Sequence, residues 1–133
     1  MTDGGEDTGD GDDARERPRR STDGGDLPLD DVFDLLGDRR RRYVLYCLAD
    51  WDGAVARDEL ARQVATWEHG GDLGDVPAES ITRVTVSLDH VHLPRLVDYG
   101  VVTYDRESAE LERAAGLDRL EPYLDLARDE EGF

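Results

Sequence analysis

The stretch Ser87-Leu88-Asp89-His90-Val91-His92-Leu93-Pro94-Arg95-Leu96-Val97-Asp98-Tyr99-Gly100-Val101-Val102-Thr103-Tyr104 decides the architecture. A helix-period apolar pattern runs up to a single glycine, and a β-branched run follows at once. Glycine closes a helix in the left-handed conformation without a Cβ penalty. Val101, Val102, Thr103 and Tyr104 carry the side chains that favour an extended strand. The stretch therefore predicts a helix to about Tyr99, a glycine stop, and a strand from Val101.

Upstream, the same helical pattern reaches back to about Ala78. At about 100° per residue, Ile81, Val84, Leu88 and Val91 form one apolar lane, while Val86, Leu93, Leu96 and Val97 cover much of the other side. Such a helix is expected to be largely buried. A thin polar strip of Arg83, Ser87, His90, Pro94 and Asp98 remains between the lanes. Pro94 lacks a backbone donor and predicts a kink or a tightened last turn.

The flanking segments fill in a small domain. Leu29, Val32, Phe33 and Leu36 share one face of a short helix, with Asp30 and Asp31 in its first turn. Asp38 suits the N-cap of a second helix to about Ala49, on which Arg41, Val44, Leu45 and Leu48 share a side. A third helix is expected from about Arg57 to Glu68 through Leu60, Val64 and Trp67. Gly70 to Pro77 reads as a flexible loop. Val101 to Asp105 and Ala109 to Arg113 form a hairpin turned at Arg106-Glu107-Ser108. Leu117, Leu120, Leu124 and Ala127 continue a helical repeat, and Pro122 predicts that this last helix is broken.

Composition narrows the setting. The chain has 133 residues and a formal net charge of -17, and all 16 of its basic residues are arginine. Self-repulsion at that charge weakens a compact state in dilute buffer. At 1 M salt the Debye length falls to roughly 3 Å, which makes the same surface tolerable. The chain thus reads as a cytoplasmic protein of a salt-accumulating halophilic archaeon. Cys47, the only cysteine, sits in an apolar run and reads as a buried structural thiol. No apolar stretch approaches the roughly 18 residues of a membrane span. Residues 1–26 hold almost nothing apolar and read as a disordered acidic tail. Within them, Arg15, Arg17, Arg19 and Arg20 make a small basic patch.

Two blocks carry a family resemblance. Leu35-Leu36-Gly37-Asp38-Arg39-Arg40-Arg41-Arg42-Tyr43-Val44-Leu45-Tyr46-Cys47-Leu48 looks like the second-helix signature of haloarchaeal winged-helix proteins. His92-Leu93-Pro94-Arg95-Leu96-Val97-Asp98-Tyr99-Gly100-Val101-Val102 is similar to the end of their recognition helix and first wing strand. With Arg57-Asp58-Glu59-Leu60-Ala61 between them, the chain resembles an uncharacterised haloarchaeal domain family with an ArsR-like winged helix-turn-helix fold. The resemblance implies a mainly α domain with one β-hairpin over residues 27–115. Residues 116–133 would be a C-terminal helical segment and a candidate dimer contact.

Two departures bear on function. ArsR-type metal sensors carry cysteine pairs or His/Asp sets, whereas this chain has one Cys and three His. His90 and His92, about 200° apart around a helix, cannot clamp one ion together, so no metal is expected. The hairpin is also acidic, with Asp105, Glu107, Glu110 and Glu112 against Arg106 and Arg113. No phosphate loop or nucleophile motif is present, so neither an enzyme nor a cofactor is expected.

The leading expectation is a transcriptional regulator that binds double-stranded DNA as a homodimer, with helix 79–98 in the major groove and no evident small-molecule effector. Arg57, Arg62, Arg83, Ser87 and His90 would contact DNA, with Arg83 suited to guanine. Arg39, Arg40 and Arg42 would hold phosphates or, equally, pair with carboxylates such as Asp34, Asp38 or Asp89. The alternative is a winged-helix protein–protein interaction module without DNA binding.

Overall fold

A computed structural model describes residues 27–71 and 73–133. The expected disordered tail and its basic patch lie outside the described residues. Six α-helices and three short strands follow in the order α1 (Leu29–Leu36), α2 (Arg39–Asp50), β1 (Val55–Ala56), α3 (Arg57–Glu68), α4 (Ala78–Ser87), α5 (Leu93–Asp98), β2 (Val102–Asp105), β3 (Glu110–Arg113) and α6 (Ala115–Glu131). A short 3₁₀ turn at Leu73–Asp75 lies on the link from α3 to α4.

The second helix begins where its cap places it. The Asp38 carboxylate accepts from the Arg41 amide at 3.0 Å. Val44, Leu45 and Leu48 lie in the core, as their shared side predicts. Arg41 is buried too, and donates to the Leu35 and Asp34 carbonyls, each at 2.8 Å. It thus bonds two carbonyls at the end of α1, of which that of Asp34 also accepts from the Gly37 amide at 3.3 Å. This fixes α1 with Val32 and Leu35 inward and Leu36 partly buried against the core, so Val32 and Leu36 of the predicted face point as expected. Leu29 and Phe33 of that face are exposed.

The long helix differs from expectation in a more consequential way. Between α4 and α5, residues Leu88–His92 form a π-turn, in which the Leu93 amide bonds the Leu88 carbonyl. The turn before Pro94 widens rather than tightens. Widening moves the proline ring off the carbonyl it would otherwise crowd, and Pro94 stands in the first turn of α5, where its missing donor costs least. The extra residue shifts the phase of everything after it. Val84, Leu88, Leu93 and Leu96 become one buried lane, with a gap of five between Leu88 and Leu93. Val86, Val91 and Val97 face outward, so the helix is apolar on one side and not on two.

Gly100 stops α5 with φ of +75°. The Val101 amide bonds the Leu96 carbonyl at 2.9 Å and the Gly100 amide bonds Val97 at 3.0 Å, the paired closure that a left-handed residue permits. The hairpin follows, closed through Arg106 to Ala109, with the Asp105 carboxylate accepting from the Glu107 amide at 2.9 Å. β3 is the middle strand of an antiparallel sheet ordered β1-β3-β2, and Val55 lies opposite Leu111. The strand β1 was not expected, because a pair of residues carries no alternation to read.

The final helix is continuous through Pro122, contrary to the predicted break. Pro122 and Asp118, whose carbonyl loses its helical donor, both lie on the exposed side, where water can take that bond. Leu117, Leu120 and Leu124 are buried in the same core as α2 and the sheet. Through these three leucines the C-terminal helix packs on the same core as the rest of the domain. Gly116 is needed there, since a Cβ would stand 2.6 Å from the Gly100 carbonyl oxygen. Cys47 is buried as read, and burial with the nearby Asp50 charge pushes its thiol up to about 12.

Candidate nucleic-acid interface

The outer side of α4 carries Glu79, Thr82, Arg83 and Val86, and the π-turn adds His90, all exposed. Thr82, Val86 and His90 follow at spacings of four, and Arg83 lies beside them. Behind them stands the lane of Val84, Leu88, Leu93 and Leu96, each at most 1% exposed. The strip is thus held rigidly by its own helix while its side chains meet solvent.

Two clefts flank the strip. One, of about 510 Å³, lies between the helix and the hairpin and is lined by Arg57, His90, Pro94, Val97, Tyr104 and Arg106 among others. The other, of about 440 Å³, brings Ser87 together with Arg39, Arg40 and His92. The structure therefore gathers Arg39, Arg40, Arg57, Arg83, Ser87 and His90 around one helix. Arg62 is exposed on α3, outside both clefts. Arg42 stands apart, bound to α6.

Their electrostatic states differ. Arg40 grips Glu68 through two bonds of 2.7 and 2.8 Å. Arg42 grips Glu131 at 3.0 and 2.9 Å and also donates to the Leu36 carbonyl. Arg57 donates to both oxygens of Asp89, at 2.7 and 2.6 Å, and to Asp58 at 2.9 Å. The partly buried Arg40 and Arg42 pairs are two-nitrogen forks, the strong kind, whereas Arg57 reaches both Asp89 oxygens from one nitrogen and its Asp58 contact is exposed. The carboxylates are not those expected for the arginine run: Asp34 pairs with Arg95, Asp89 with Arg57, and Asp38 caps α2.

Arg83 is different. Its side chain is 70% exposed and has one contact, to Glu79 one turn earlier at 3.0 Å. Exposed pairs of this kind contribute only a few tenths of a kcal/mol, about 0.3–0.5. Among the described residues, Arg62 and Arg106 have no carboxylate within pairing distance, and Arg39 lies over the Tyr43 ring at 5.9 Å. On the hairpin, Arg113 turns inward to Asp118 and Glu121, which leaves Arg106 as its outward cation.

His92, two residues beyond His90, is buried and has a structural role. Its Nδ1 lies 3.4 Å from Arg41 Nη1 and its Nε2 lies 3.9 Å from Asp38. Burial, with help from the neighbouring arginines and against the Asp38 charge, holds its pKa below the ordinary value. A neutral ring accepting from Arg41 at Nδ1 follows from that environment. At Asp38, burial pushes the carboxyl up, but the Arg41 amide and the His92 and Arg41 charges outweigh it and hold it low. Among the described residues, no group of three metal-ligating side chains comes together, and no helix is long and apolar enough to cross a membrane.

Sequence reasoning missed Val86 and Thr82 as members of the exposed strip. Val86 was grouped with Leu93 and Leu96 in an inner lane, and the π-turn, which has no sequence signature beyond Pro94, carries those two leucines onto the lane of Val84 and Leu88 and leaves Val86 outside it. Tyr104 and Arg106 were read as hairpin residues, and only the packing of the hairpin beside α5 makes them lining of the cleft.

No curated protein and no solved structure matches the chain. A family model does match, from Phe33 in α1 to Glu112 in β3, so it takes in the exposed strip and both flanking clefts and stops short of α6. That match spans more than half of the sequence, and the chain belongs to the family described as Domain of unknown function (DUF7344).

Proposed function

We propose that this protein is a DNA-binding transcriptional regulator with a winged helix-turn-helix fold. In this reading α3 and α4 are the helix-turn-helix pair, α4 with the π-turn enters the major groove, and the β2–β3 hairpin is the wing. The observation that carries it is the exposed strip of Thr82, Arg83, Val86 and His90 on a helix whose opposite side is locked into the core. Recognition helices need that division, because base edges are read by short or hydrogen-bonding side chains held in a fixed register.

Arg83 reads a base, since breaking its contact to Glu79 costs little. Ser87 and His90 add donors or acceptors at the edge of the strip. Arg39, Arg62 and Arg106 supply phosphate contacts. Arg40, Arg42 and Arg57 act chiefly as struts, because each would have to abandon a carboxylate held by two charge-assisted hydrogen bonds to reach DNA. Two copies on a two-fold operator complete the reading, and the setting is a cytoplasm rich in salt. A net charge of -17 would otherwise oppose approach to a polyanion.

The test is selection from a randomised duplex pool in about 1 M KCl, where surface repulsion is screened. A palindromic consensus should enrich, and Arg83→Glu should weaken its binding at least about tenfold while melting at the wild-type temperature. If no sequence enriches, the regulator reading fails. The pairing of Arg40, Arg42 and Arg57 favours a second reading, a winged-helix module that docks a protein. Co-elution with one defined partner and no DNA selection would support it.

A further inference from the structure

We infer that α4 reads the C5-methyl groups of thymine, with Val86 as the specificity-determining residue; this rests on the DNA-binding reading above. Val86 is 51% exposed although it is fully apolar. The core does not use it, since Val84, Leu88, Leu93 and Leu96 already fill the buried lane. Its neighbours on the outer side are Thr82 one turn before, Arg83 three residues before and His90 one turn after. The Thr82 hydroxyl is tied back to the Ala78 carbonyl at 3.2 Å, so its hydrogen-bonding group already has a partner within its own helix.

The strip therefore presents two methyl-bearing side chains beside one guanidinium. In the major groove the matching surface is a thymine methyl next to a guanine edge. Both residues are β-branched, which restricts χ1 in a helix and holds their methyls in place at little entropic cost. Contact of this kind suits an acidic protein. Apolar burial does not depend on counterion release, the source of affinity that concentrated salt removes.

The experiment uses the full chain and the duplex selected above, with each consensus thymidine replaced in turn by deoxyuridine. That exchange deletes the C5-methyl and leaves base pairing unchanged. Removing a methyl that faces Val86 should weaken wild-type binding about fourfold, the loss expected for one buried methyl-sized group. Val86→Ala should bind the thymidine duplex as weakly as wild type binds the deoxyuridine duplex, with no further loss on the exchange. Val86→Thr, which keeps one methyl, should fall between them. If deoxyuridine at every position leaves wild-type affinity unchanged, or if Val86→Ala keeps full sensitivity to the exchange, the inference is overturned and DNA binding stands. If the wild-type chain binds no duplex at all, both fall together. The wild-type comparison needs no variant, so a folding defect cannot obscure it.

Discussion

The head of α2 and the middle of α4 both present arginine, and the fold treats them in opposite ways. On α2, Arg40 and Arg42 are held in forks by Glu68 and Glu131, with side chains 31% and 21% exposed. On α4, Arg83 keeps one single contact and is mostly in solvent. Arg40 and Arg42 of the run are therefore internal bracing, while Arg83 on its anchored helix keeps only an exposed contact that it can exchange for a partner. Density of charge in sequence is the poorer guide, because a crowded carboxylate surface neutralises the crowded cations first.

The harshest way to break the contrast is to remove the anchor that both regions share. Leu88→Ala, in the π-turn behind the strip, should cost about 2–5 kcal/mol, since the residue is fully buried. Denaturant titration in molar KCl reads this directly, and an unchanged midpoint would mean that the lane is not the strip's support.

Next in size is Arg83→Glu, which should lower duplex affinity by at least about tenfold and shift stability by less than about 0.5 kcal/mol. The salt response sharpens the same point. With Arg39, Arg62, Arg83 and Arg106 as the available cations of each copy, about eight for two copies on one operator, log affinity against log salt should be no steeper than a slope of about -7.2. A slope of about -12.6, from about fourteen cations, would mean that Arg40, Arg42 and Arg57 of each copy also reach phosphate.

Glu131→Gln is the converse substitution. It should cost about 1 kcal/mol of stability while leaving DNA affinity at the wild-type value. The hydrogen bonds from Arg42 hold the Glu131 carboxyl below its ordinary value, more than offsetting burial, and those from Tyr46 add to this. Its contribution is thus complete above about pH 4.5 and lost as pH falls through the lower folded value. The variant should flatten that part of the acid limb, and an unchanged limb would remove Glu131 from the bracing.

The smallest effect belongs to His92. Burial lowers its folded pKa, so the unfolded chain binds the proton first, and stability should begin to fall as pH drops below about 6.5. His92→Asn should erase that gentle slope, as followed by melting temperature across the range. Persistence of the slope would assign it to another group.

Much of the scaffold was legible without coordinates. The Asp38 cap, the Gly100 stop and the hairpin around Arg106 depend on backbone chemistry within a few residues, and the spans of α1, α2 and α3 follow from apolar spacing. The candidate site was legible only in part. Arg83 and His90 were placed correctly on the polar strip, but Val86 was grouped inward with Leu93 and Leu96, because a kink or a tightened turn was expected at Pro94 and not the widened turn that moves those leucines to the other lane. The break at Pro122 was wrong for a related reason: an exposed carbonyl can turn to water, and the packing of Leu117, Leu120 and Leu124 holds the helix together.

The sequence by itself determined the local elements and the acidic character of this protein, since capping, helix stops and net charge need no distant partner. The tertiary structure alone decided which arginines are occupied and which side chains face outward. Arg40 meets a carboxylate 28 positions away and Arg42 one 89 positions away. A single extra residue in the π-turn re-phases the whole end of the helix. Both depend on where other elements come to rest, and pairing across such distances leaves no periodic trace in the chain.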